Sequence, residues 1–76
     1  MAKSLKDRLL KEKKTSKFCD ILEAELGYYE AKRESSHLIY RASGRSVLSI
    51  PDTREIAPGT RRSLVQLALG AEYYQK

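Results

Sequence analysis

The chain has little of what most enzyme chemistry relies on. Its 76 residues include one cysteine and one histidine, with four glycines and two prolines. A single cysteine, Cys19, cannot close an internal disulfide, and it fits a reducing compartment, so a cytoplasmic location is expected. No apolar run approaches the roughly 18 residues needed to cross a bilayer. The Lys-rich start is not followed by an apolar segment, so neither secretion nor membrane insertion is expected. One histidine, one cysteine and no acidic cluster on a shared face offer no workable ligand set for zinc, and no metal or other cofactor is expected. The chain also lacks a phosphate loop, a dinucleotide fingerprint and a nucleophile elbow. A serine triad fails on geometry, because Ser36 and His37 are adjacent and point to opposite faces of a strand.

What is present is charge, unevenly spread. The formal net charge is +5. Residues 1–17 hold seven bases against two acids, residues 18–31 hold four acids and no base, and residues 32–62 hold seven bases against three acids. Basic residues gathered in this way fit a polyanion partner, most often nucleic acid; a solvated surface that keeps the protein soluble fits equally. With 41% hydrophobic and 33% charged residues, the composition is that of one small globular domain. A domain of this size buries only about 60% of the surface its unfolded chain exposes, so its core is modest.

Hydrophobic spacing sets the element order. Residues 4–14, SLKDRLLKEKK, read as a short helix capped by Ser4, with Asp7 completing a capping box. Its apolar residues, Leu5, Leu9 and Leu10, are few, so it is read as a docked arm, a frayed extension or part of an interface. Phe18, Ile21, Leu22 and Leu26 form one stripe of a stronger helix over 15–26, with Thr15 or Ser16 as cap and Gly27 at its end. Cys19 beside that stripe is read as a packing residue. Three strand-like pieces follow, 28–33, 36–41 and 46–50, the last stopped by Pro51, with a Gly44-containing turn between the second and third. After the loop 51–60, Thr60 is placed to cap a last helix carrying Leu64, Leu67 and Ala68, closed by Gly70 and followed by a tail. The expected fold class is α+β: a three-stranded antiparallel sheet with two helices on one face, α-β-β-β-α. A basic arm, 1–14, precedes a single domain, 15–76.

The chemistry open to such a chain is acid–base work by a lone histidine beside cations. RNA carries its own nucleophile, the ribose 2′-hydroxyl, so cleavage needs a base near neutrality and positive charge at the phosphorane. A histidine, with an ordinary pKa of about 6.5, suits that task. From the residues alone His37 stays open between this role and that of an incidental strand residue. Tyr28, Tyr29 and Tyr40 stay open between stacking on bases and packing in the core.

Three strings narrow the choice. They are Ser36-His37-Leu38-Ile39-Tyr40-Arg41, then Leu48-Ser49-Ile50-Pro51, then Glu55-Ile56-Ala57-Pro58-Gly59-Thr60-Arg61-Arg62-Ser63-Leu64. In this order and spacing, over about residues 15–70, the chain resembles the HicA toxin family of small mRNA interferases. The resemblance implies a double-stranded-RNA-binding-like fold, metal-independent endoribonuclease activity on mRNA, and a cognate HicB-like antitoxin as protein partner. The family's catalytic histidine falls on His37. Lys32, Arg33, Arg41, Arg45, Thr60, Arg61 and Arg62 are then expected to contact RNA, the last three at the opening of the final helix, where free N–H groups favour an anion. Ser35 stands where the family has glycine. The arm from Lys3 to Lys14 is longer than the family's usual start and suggests an added contact with RNA or a partner. A non-catalytic RNA-binding module and a protein-interaction module are the alternative functions.

Overall fold

A computed structural model describes residues 4–74; residues 1–3 of the expected arm and the last two residues of the expected tail lie outside them. The chain runs α1 (Leu5–Lys11), α2 (Thr15–Leu26), β1 (Tyr29–Glu34), β2 (His37–Arg41), β3 (Leu48–Pro51), α3 (Pro58–Leu69) and a 3-10 turn, Gly70–Tyr74. The strands form an antiparallel meander in the order β1-β2-β3. This is the expected α+β architecture with three helices.

Alternation along β2 sorts the two faces of the sheet. Leu38 and Tyr40 are buried together with Leu48 and Ile50 of β3, while His37, Arg41 and Ser49 are exposed. Phe18, Cys19 and Leu22 of α2 and Leu64, Val65, Ala68 and Leu69 of α3 join those four in one core. The helices therefore cover a single face, and the other face is open. β1 is exposed along its whole length. A bulge at Ala31, between Glu30 and Lys32, interrupts its pairing with β2.

α1 is docked. Ser4 caps it, its hydroxyl accepting from the Asp7 N–H at 3.2 Å. Leu9 is fully buried in the common core, with Leu5 and Leu10 packed partly against it.

Several local expectations are corrected. Neither Thr15 nor Ser16 caps α2: a bridge between Lys14 and Glu55 delivers the chain already helical at Thr15. The Thr15 N–H donates to the Arg54 carbonyl at 3.1 Å, and its side chain is buried. Thr60 does not cap α3 either. Pro58 takes the first helical position, where its missing N–H costs nothing, so Thr60 lies inside the first turn. Leu67 is 49% exposed; the buried stripe of α3 is Arg61, Leu64, Val65, Ala68 and Leu69. β3 begins at Leu48 rather than at Ser46, and Pro51 is its last residue, in register with His37. The expected tail is turned back by the 3-10 turn, and Lys6 Nζ donates to the Tyr73 carbonyl at 2.7 Å.

Candidate functional site

The open face of the sheet carries the candidate chemistry. His37 is the first residue of β2, directly after the two-residue turn Ser35-Ser36. Across the hairpin it is in register with Glu34, and on its other side with Pro51. The Asp52 N–H donates to the Ser36 carbonyl at 2.7 Å, which fastens this tip to the end of β3. His37 Nδ1 lies 3.4 Å from Ser36 Oγ, at the outer limit of a hydrogen bond. Ser35 holds φ at +46°, in the left-handed region that favours glycine.

Glu34 brings a second side chain to the tip. Its Oε1 is 2.8 Å from Lys32 Nζ, two residues back along β1. The hydrogen bond from Lys32, and then its charge, hold the Glu34 carboxyl below the usual carboxylate range. Side chains directly opposite in an antiparallel pair have their Cβ atoms about 5 Å apart. Glu34 is thus the cross-strand neighbour of His37, and Lys32, Glu34 and His37 lie on one face at the hairpin tip. Arg41 shares this face at the other end of β2, in register with Tyr29, but four residues along a strand is about 13 Å. Arg41 therefore serves a different part of a bound polymer than His37 does. Tyr29 is 57% exposed, whereas Tyr28 and Tyr40 are buried, with hydroxyls donating to the Ser46 carbonyl and to Glu23.

The other cations expected at the site are elsewhere. Arg33 is in register with Leu38, on the helix-covered side of the sheet, and bonds to Asp52 at 2.7 Å. Arg45 pins the β2–β3 connection to the end of α3, donating to the Ala68 carbonyl at 3.0 Å and to Glu72 at 2.8 Å. Arg61 is 8% exposed; its guanidinium donates to the Leu10 carbonyl at 2.7 Å and the Ile56 carbonyl at 2.9 Å. Thr60 and Arg62 are exposed, but they open a helix packed on the opposite face from His37. Lys32 and Arg41 alone of the expected RNA contacts share the face of His37.

Glu34 was not among the residues expected from sequence. The signal available was the two-residue gap between strands, which sets a hairpin register; Ser-Ser lacks the Asn-Gly chemistry that announces one. Cys19 is buried beneath the sheet, and burial pushes its thiol pKa up, so it is a packing residue and not a nucleophile. No group of three or more His, Cys, Asp and Glu among the described residues is arranged to hold a metal ion, and none of the helices described is long and apolar enough to cross a membrane. No protein-family profile, curated protein or solved structure matches the chain.

Proposed function

We propose that the protein is an mRNA-cleaving toxin of the HicA type, a metal-independent endoribonuclease whose fold is double-stranded-RNA-binding-like from α2 to α3. The observation that carries this reading is the juxtaposition of an exposed His37 with Glu34 and Lys32 on the open face of the sheet. In the proposed reaction His37 accepts the proton of a ribose 2′-hydroxyl. The 2′-oxygen attacks the adjacent phosphorus and the P–O5′ bond breaks. A 2′,3′-cyclic phosphate and a 5′-hydroxyl result, the 5′-oxygen taking up a proton as it leaves. Glu34, kept as a carboxylate by Lys32, favours the imidazolium that forms, and the Lys32 ammonium offsets charge on the phosphorane. Arg41 and Tyr29 hold backbone and base further along the strand.

The three strings that resemble the family also supply the partner of this reading, a HicB-like antitoxin. The experiment is expression of His37→Ala beside the wild type. His37 is exposed, so the substitution should leave the circular dichroism unchanged while abolishing growth arrest and RNA cleavage. A variant that still arrests growth and cleaves RNA rejects the reading.

A non-catalytic RNA-binding module is the second reading, favoured by the exposed Tyr29 and Arg41 in register on one face. It predicts salt-sensitive RNA binding, no cleavage products and no effect of His37→Ala.

A further inference from the structure

Among the described residues, a second group of exposed cations outside any ion pair lies away from the sheet. It lies where α1 gives way to α2. The linker 12–14 and the loop 54–56 run antiparallel there: the Ile56 N–H donates to the Lys13 carbonyl at 2.9 Å, the Thr15 N–H to the Arg54 carbonyl at 3.1 Å, and Lys14 bridges Glu55. These main-chain bonds bring the backbones of Lys13, Lys14 and Arg54 together. Lys11, the last residue of α1, and Lys17, in the first turn of α2, flank them. All five side chains are exposed, and among the described residues none is in an ion pair. Glu12 and Glu55 are the acids of the linker and the loop, the Glu12 carboxylate accepting from the Lys14 N–H and Glu55 lying opposite Lys14, and Arg54 borders a cleft that also holds Asp20, Glu23 and Asp52. The first turn of α2 holds no acid, so the helix dipole adds to the same positive field.

The junction is also close to His37. Pro51 is in register with His37, where Cα atoms of paired strands are about 5 Å apart. Arg54 follows three residues later, at most about 10 Å of extended chain. The Cα atoms of Arg54, at the edge of the junction, and of His37 are therefore within about 15 Å, or about four nucleotides at the duplex rise of about 3.4 Å.

We infer that the α1–α2 junction is a second binding surface for nucleic-acid backbone. Lys11, Lys13, Lys14, Lys17 and Arg54 hold phosphates a few nucleotides away from the bond presented to His37. This inference rests on the ribonuclease reading for the role of the surface, but its test does not depend on cleavage. The junction neutralises several phosphates at once and reads no base, so it acts on affinity and not on the chemical step.

The test is fluorescence anisotropy of a labelled single-stranded RNA, using His37→Ala protein so that the probe survives. It is compared with the same protein carrying Lys13→Gln, Lys14→Gln and Arg54→Gln. The junction is held by main-chain bonds, so the triple variant should keep its fold, checked by circular dichroism. The triple variant should bind on the order of tenfold to a hundredfold more weakly at 0.1 M salt, and its slope of log K against log salt should fall by about 2, at about 0.7 per phosphate contact. In otherwise wild-type protein the same changes should raise KM and leave kcat within twofold. Unchanged RNA affinity and slope would overturn the inference while leaving the ribonuclease reading intact. Binding of wild-type protein to anionic lipid vesicles with none to RNA would overturn it too. RNA binding lost with the triple variant, from a wild-type protein that never cuts, would keep the surface and reject the ribonuclease.

Discussion

At the scale of the residue, the tip of the β1–β2 hairpin carries a visible strain. Ser35 at φ +46° is a position where an L side chain costs about 1 kcal/mol or more, and glycine does not. Glycine gives back part of that gain through the greater freedom of the unfolded chain. Ser35→Gly should therefore stabilise the protein by about 0.5 kcal/mol in urea unfolding; a loss of 1 kcal/mol or more would mean that the serine side chain is needed at the tip. The neighbouring Lys32–Glu34 pair makes a prediction about pH. The Glu34 carboxyl is held below its ordinary range when folded. The stability it contributes is present above the unfolded carboxylate value and is lost as pH falls through the folded one. Lys32→Met should unfold slightly earlier than wild type at pH 6, and the two should converge toward pH 3. Unfolding curves equally far apart at both pH values would contradict the assignment, and the effect is small because both side chains are exposed.

Individual arginines show where sequence reading stops. Alternation along β2 puts His37 and Arg41 on one exposed face, because Leu38 and Tyr40 have the core to fill. Nothing in their local sequence separates Arg45 and Arg61 from surface arginines. Their partners are carbonyls of Ala68, Leu10 and Ile56, brought to them only by tertiary packing.

At the scale of the element, α1 is held by more than its three leucines. Arg61 in α3 ties the Leu10 carbonyl of α1 and the Ile56 carbonyl of the preceding loop to one buried guanidinium. Removing it leaves two carbonyls without a partner. Arg61→Ala should cost about 2–4 kcal/mol in urea unfolding, and amides of α1 should exchange faster in hydrogen-exchange measurements. A loss below 1 kcal/mol would show that the leucines suffice. Leu9→Ala, which opens a cavity where a fully buried side chain stood, should cost about 2–4 kcal/mol by the same measurement. The ends of α2 and α3 were less legible than their existence. Gly27 closes α2 at φ +73° as its place in the sequence requires. The two starts differ from what the local sequence indicates because a bridge to Glu55 and a proline at the first helical position replace side-chain caps.

At the scale of the whole molecule, two layers divide the labour. The helices and the inner face of the sheet make the core, which leaves the open face free for His37, Glu34 and Lys32, and the α1–α2 junction free for its five cations. The element order and the antiparallel meander were readable from hydrophobic period and turn chemistry. The register that sets Glu34 opposite His37 was not, since it depends on a serine in a glycine conformation.

The most direct measurement is cleavage of a labelled RNA by purified protein in the presence of a chelator, with the ends of the products identified. Wild type should cut and leave 2′,3′-cyclic phosphate and 5′-hydroxyl ends, and should not cut the same strand with a 2′-deoxyribose at the cleavage position. Folded His37→Ala should be slower by at least about a hundredfold. Cleavage at an undiminished rate by His37→Ala, or no cleavage by wild type, would contradict the account.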